Sequence, residues 1–195
     1  MKTLPLSRID SALNSFAPTQ TKFDSTKAMY DYARKRIVGV AKEFNREYLV
    51  VANTSKNEIL FESLGERKAV RVENWLLPND RRNIAVIHGH TRNGYPLSSR
   101  DCLHLINGEY DKVIAFDKRG RFSLLQNLPK SNLEKAKEII KYEFSEFKKA
   151  LREQPILKRV LKYLGITAQK HENSYLKARL NQPDINMRYV STMYK

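Results

Sequence analysis

An α/β fold is predicted by three features of the chain. Short runs rich in β-branched and aromatic residues, Tyr48–Ala52, Ile84–Ile87 and Val113–Phe116, read as strands. Apolar residues recur at helical spacing from about Ser25 to Phe44, and again from about Asn132 to Arg152. Between the strand runs lie the short polar segments expected of turns, such as Thr54-Ser55-Lys56-Asn57 and Asp117-Lys118-Arg119-Gly120.

Each element follows from local chemistry. Residues 1–21 mix Pro5, Pro18, Ser and Thr and read as an irregular lead-in. Tyr30, Ala33, Ile37, Val40, Ala41 and Phe44 then give the first helix one apolar stripe, with Asp24 or Ser25 available as its cap. Tyr48–Ala52 and Ile59–Phe61 form a strand pair around a turn, and Ala69–Val72 reads as a third strand. Pro78-Asn79-Asp80 breaks the chain before the apolar strand Ile84–Ile87. A polar loop with Gly89, Gly94 and Pro96 leads into a short helix near Ser98–Ile106, closed by Asn107-Gly108. Val113–Phe116 and Phe122–Leu125 flank a hairpin turn. The next helix carries Leu133, Ile140, Phe144, Phe147 and Leu151 on one side; Pro155 interrupts it, and a shorter helix runs to about Leu164. The last thirty residues are polar and show no period. The expected organisation is a core over 22–128 and a basic helical extension over 129–195.

Composition limits the function classes. The chain has 195 residues, one domain's worth, with 36 Lys+Arg against 21 Asp+Glu. Its single cysteine, Cys102, excludes an intramolecular disulfide framework and an all-cysteine zinc site. No apolar run approaches the roughly 18–20 residues of a membrane span, and the start has no apolar signal region. These features predict no membrane association and a cytoplasmic location, or a virion or injected one if the chain is phage-encoded. The excess charge of +15 is uneven: residues 1–45 carry +4, residues 46–128 carry +3 and residues 129–195 carry +8. Basic flanks around a nearly balanced centre suit a nucleic acid or an acidic partner, and equally suit a solvated lysine-rich surface.

The balanced centre holds the chemistry. The strand Ile84–Ile87 runs into His88-Gly89-His90, and residues i and i+2 of a strand share a face. His88 and His90 can therefore aim two imidazoles at one ion. Asp101, in the first turn of the next helix, can supply a third ligand. Two histidines and a carboxylate with one open position is the donor set of a catalytic zinc, which acidifies bound water. Such a site needs a general base, and Glu47 at the start of a strand is the candidate, with Glu43 as the fallback. Ser98 is placed to donate to the oxyanion of an attacked amide. Ser98-Ser99-Arg100-Asp101 is also a capping box, which by itself accounts for both residues.

The spacing His88-x-His90, seven residues, then Ser98-x-x-Asp101 resembles the signature of the JAMM (MPN+) metalloproteases, H-x-H-x7-S-x2-D. The resemblance covers about residues 43–126 and is nearest to bacterial and phage branches, including RadC-like and toxin-associated ones. It implies a cytidine-deaminase-like mixed sheet flanked by helices. It also implies zinc held by His88, His90 and Asp101, Glu47 as the catalytic carboxylate, Ser98 at the oxyanion, and hydrolysis of peptide or isopeptide bonds. Two positions depart from the pattern. Thr91 stands where the family usually has Pro, and Gly89 where it has a small polar residue. The competing expectation is a binding module, phage structural, injected or toxin-associated, that keeps the fold and uses its basic flanks.

Other residues were weighed. His104 shares a helix face with Asp101 and reads either as a partner orienting it or as a half-buried helix histidine. Cys102 reads as a small core residue, and Trp75 as a loop anchor or a substrate contact. Lys118, Arg119 and Arg121 form a basic hairpin tip suited to an acidic partner. No P-loop, Rossmann fingerprint, G-x-S-x-G elbow or H-E-x-x-H occurs.

Overall fold

A computed structural model describes residues 21–66, 78–93, 97–154, 156, 159–160 and 168–193. The fold is α/β. Seven strands, β1 (Thr21–Lys22), β2 (Tyr48–Asn53), β3 (Glu58–Leu64), β4 (Ile84–Gly89), β5 (Lys112–Phe116), β6 (Phe122–Asn127) and β7 (Met187–Ser191), form one mixed sheet. Their order is β1-β3-β2-β4-β5-β6-β7. Among the described strands only the β4–β5 pair is parallel. A parallel pair needs a crossover, and the segment carrying Ser98 and Asp101 supplies it.

Helix α1 (Thr26–Glu43) covers one face of the sheet. It begins where the Ser25 hydroxyl accepts the Ala28 N–H at 3.2 Å, and it buries Met29, Ala33, Ile37 and Ala41. Four residues at a spacing of four make one stripe, because side chains at i and i+4 stack along a helix. The helix ends at Phe44, and Asn45 turns the chain with a positive φ of 53°, a conformation asparagine tolerates better than most residues. Alternation on the strands then sorts their side chains. Tyr48, Val50, Ala85, Ile87, Ile114 and Phe116 face α1, whereas Leu49, Val51, Val86, Val113 and Ala115 face the opposite core.

That opposite core is closed by α2 (Ser99–His104), continued by a π-turn over Leu105–Glu109, and by the C-terminal elements. These are α3 (Leu133–Glu138), a second π-turn (Ile139–Glu143), α4 (Phe144–Glu153) and α5 (Ala168–Leu180). The expected boundary at 128/129 is not a break in packing. Ile139, Phe144, Leu176, Leu180 and Tyr189 belong to the same cluster as Leu49, Val86 and Ala115. Strand β7 pairs with β6 along its whole length, from Ser123↔Ser191 to Asn127↔Met187. The Asn181 side chain grips it, accepting the Tyr189 N–H at 2.6 Å and donating to the Tyr189 carbonyl at 3.0 Å. Residues near the C-terminus that show no period in the sequence thus contain a helix and an edge strand of the main sheet. The expected strand Ala69–Val72, Trp75, and most of residues 1–21 and of the helix toward Leu164 lie outside the described residues. No helix among the described residues is long and apolar enough to cross a membrane.

The shared core generates a prediction. Cutting the chain after residue 128 removes Ile139, Ile140, Phe144, Leu176, Leu180, Ile185, Met187 and Tyr189, all buried, and uncovers Leu49, Val86 and Ala115, which share their core. At roughly 1.5–3 kcal/mol per buried side chain, the loss rivals or exceeds a net stability of about 5–15 kcal/mol. A 1–128 fragment is expected to show no cooperative thermal transition by circular dichroism, whereas the full chain shows one.

Candidate metal centre

The centre is assembled at the carboxyl end of β4. Leu49 on β2 is the register partner of His88, and the backbones of His88 and Ala115 are paired on the other side. Val86 faces the C-terminal core, so His88 and His90, two and four residues on, point to that same face, where α2 lies. On β2, Leu49 and Val51 face the same way, and Glu47 follows their alternation. Continuing the β2–β4 register by two residues sets Glu47 across from His90. The backbone is held there: Glu47 N–H donates to Glu66 O, and His90 N–H to Phe116 O, both at 2.8 Å.

Asp101 is fixed by the cap of α2. The Ser98 N–H and the Ser98 hydroxyl both donate to Asp101 Oδ2, at 2.7 and 2.6 Å. In return Ser98 Oγ accepts the Asp101 N–H at 3.2 Å, completing the capping box expected from the sequence. The other carboxylate oxygen is therefore aimed at the histidines. Asp101 Oδ1 lies 3.5 Å from His88 Nε2, and His88 Nε2 lies 3.1 Å from His90 Nε2. One ligand atom from each of the three residues falls within 4.8 Å of the others, so the cluster could bind a metal ion.

The donor set fits a tetrahedral cation. Nitrogens bonded at about 2.0–2.1 Å in a tetrahedron stand about 3.3–3.4 Å apart, close to the spacings His88 already makes. Two imidazole nitrogens 3.1 Å apart face each other with either a proton or a cation between them. The electrostatics agree. Burial alone pushes the His88 imidazole down, but Asp101, by charge and hydrogen bond, and Glu47 outweigh it and hold the group above its ordinary value. Burial pushes the Asp101 carboxyl up, and here His88, His90 and the Ser98 hydroxyl prevail, keeping it well below the usual carboxylate range. Asp101 is thus an anion. Glu47 goes the other way: burial raises it, the His88 charge pulls it back, the Asp101 charge adds to the rise, and it comes to about 7.

His88, His90 and Asp101 converge, and Glu47 lies within electrostatic reach of His88 and Asp101. Glu43 is instead an exposed residue of the last turn of α1. Ser98 has a different first role from the expected oxyanion donor: its one hydroxyl proton is engaged with Asp101. Cys102 is fully buried in the core, and His104 is exposed rather than half-buried.

Two features were not read from the sequence. Gly89 is required by packing: a Cβ there would stand 2.5 Å from Ile37 Cγ2. Helix α1 crosses β4 at the residue between the two histidines, and only glycine admits it. The signal was the glycine itself, standing where the family pattern has a side chain. The second is Asp117. Continuing the β4–β5 register by one residue puts it beside His90. It is fully buried, accepts the Arg119 and Arg121 N–H groups on Oδ1, and binds the Arg121 guanidinium at 2.7 and 2.9 Å through Oδ2. Arg121, expected as part of a charged tip, is therefore neutralised, and it also donates to the Met193 carbonyl at 2.8 Å. Compared with protein-family models, curated protein sequences and solved structures, the chain gives no match to any of the three.

Two predictions test this geometry. Gly89→Ala is expected to destabilise the protein by about 1–3 kcal/mol through overpacking. Ile37→Ala in the same chain should recover part of that loss, a positive coupling measured by a double-mutant cycle in urea. The second concerns pH in chelator-treated protein. Since the folded state raises Glu47, it favours the neutral carboxyl, and ionisation costs stability increasingly as pH rises from 4.5 through about 7. Glu47→Gln removes that cost, so its melting temperature should match the parent at pH 4 and exceed it at pH 8.

Proposed function

We propose that the chain is a zinc-dependent hydrolase of peptide or isopeptide bonds, with the chemistry and sheet of the JAMM proteins its motif resembles. The observation that carries this reading is the convergence of His88, His90 and Asp101 beside a half-buried Glu47. His88, His90 and Asp101 would hold the ion. When bound, zinc supplies Lewis acidity toward a carbonyl and acidifies water at its open position.

The remaining work falls to the chain's own groups. Glu47, half-buried within electrostatic reach of His88 and Asp101, is the carboxylate placed to take a proton from an attacking water and return it to the leaving amine. Ser98 holds Asp101 in place, and it can serve a substrate oxyanion only when its proton turns away from Asp101. Gly89 lets α1 press against β4, which fixes the strand that carries both imidazoles.

Elemental analysis and an amide-hydrolysis assay test the assignment. The purified protein is expected to carry about one zinc, and His88→Ala or Asp101→Ala to lose it. Glu47→Gln should keep the metal and lose roughly 100- to 10,000-fold in hydrolysis. Stoichiometric zinc in His88→Ala would overturn the ligand set, and an unchanged rate in Glu47→Gln would remove the base.

A further inference from the structure

The described basic side chains differ in what holds them. Away from the centre they pair with carboxylates: Lys27 with Asp31, Arg82 with Asp80, Lys135 with Asp184 and Arg179 with Glu143. At the end of the sheet that carries His90, Arg121 pairs with Asp117 and Arg34 lies within reach of the Asp31 charge, while Lys118 and Arg46 are held by neutral groups. Lys118 Nζ donates to Asn45 Oδ1 at 2.7 Å, and Arg46 Nε donates to the Gly65 carbonyl at 2.8 Å. The Arg34 guanidinium lies against Gly120, where a Cβ would stand 2.8 Å from Nη2. Gly120 has a φ of 75°, so the turn both demands glycine and leaves the space the guanidinium fills. Arg119, exposed, completes the tip.

The Lys118–Asn45 bond also has a position. Asn45 precedes β2 and Lys118 follows β5, and β4 lies between those strands, so the bond spans the end of β4 where the histidines begin. Neutral acceptors order these cations without cancelling their charge. Asp117, the buried carboxylate of the same tip, is held by the Arg121 guanidinium. Fixed cations beside a cleft raise the local concentration of an anionic ligand.

We infer that Arg46, Lys118 and Arg119 form a docking ridge for an acidic polypeptide segment, placing carboxylate side chains of the substrate next to the bond to be cut. This rests on reading His88, His90 and Asp101 as a hydrolytic centre. The ridge selects among amide substrates, which the metal ligands alone do not.

Fluorescence anisotropy with the full chain tests it, using labelled oligoglutamate, oligoglutamine and oligothymidylate. Oligoglutamate is expected to bind, with affinity falling as salt is added, and oligoglutamine not to bind. Lys118→Gln/Arg119→Gln should weaken oligoglutamate binding about tenfold, with zinc content and melting temperature unchanged. Lys27→Gln/Arg82→Gln makes the same change in net charge at paired positions and should leave the affinity as it was. Equal loss in both double variants, or none in Lys118→Gln/Arg119→Gln, would overturn the ridge. So would tighter, ridge-dependent binding of oligothymidylate, which would make this a nucleic-acid surface. The two readings fail separately. Protein without zinc or hydrolysis that still binds oligoglutamate through Lys118 and Arg119 keeps the ridge and loses the hydrolase.

Discussion

The contact of Ile37 on the bare α-carbon of Gly89 is the constraint on which the centre depends. Strand β4 is buried along its whole length, with β2 on one side and β5 on the other. Helix α1 can press against its last residue only because no Cβ intervenes. The alternation of the backbone then sends His88 and His90 to the opposite face. Because a strand's side-chain period is two, one residue more or less in register would turn both imidazoles into α1.

Around this strand the polar groups are arranged as a graded field. Asp101 is held anionic by the two imidazoles and by the Ser98 cap, while Glu47, facing the same imidazoles from β2, is held near neutrality by burial. Two carboxylates with opposed shifts in one cleft can take different roles, one fixed as a ligand and one free to exchange a proton. Asp117 is a third carboxylate at that sheet end, and Arg121 neutralises it within its own hairpin. At the same end Lys118 is held on an amide and Arg46 on a backbone carbonyl.

Much of this was legible in the sequence because it is local. The α1 stripe of Ala33, Ile37 and Ala41, the hairpin around Asp117–Gly120 and the Ser98–Asp101 box depend on contacts within a few residues. The H-x-H spacing implies a shared face by strand geometry alone. Strand β7 was not legible: Met187-Arg188-Tyr189-Val190-Ser191 is short and flanked by polar residues, and it becomes a strand through pairing with β6 and the grip of Asn181, which are tertiary contacts. The packing of Ile139, Phe144, Leu176 and Tyr189 on the sheet was not legible for the same reason. The charge of a segment does not report which side of its helices is buried.

By itself, then, the sequence determined the α/β class, the face shared by His88 and His90, and the cap that binds Ser98 to Asp101. Each is a consequence of backbone period or of hydrogen bonds reaching three residues. Only the tertiary structure decided that Glu47 rather than Glu43 lies within reach of the cluster, that Gly89 is demanded by Ile37, and that Ile139, Phe144, Leu176, Leu180 and Tyr189 close the same core. Those facts depend on which surfaces meet across the sheet, and the pairing of distant strands that settles them leaves no periodic mark in the chain.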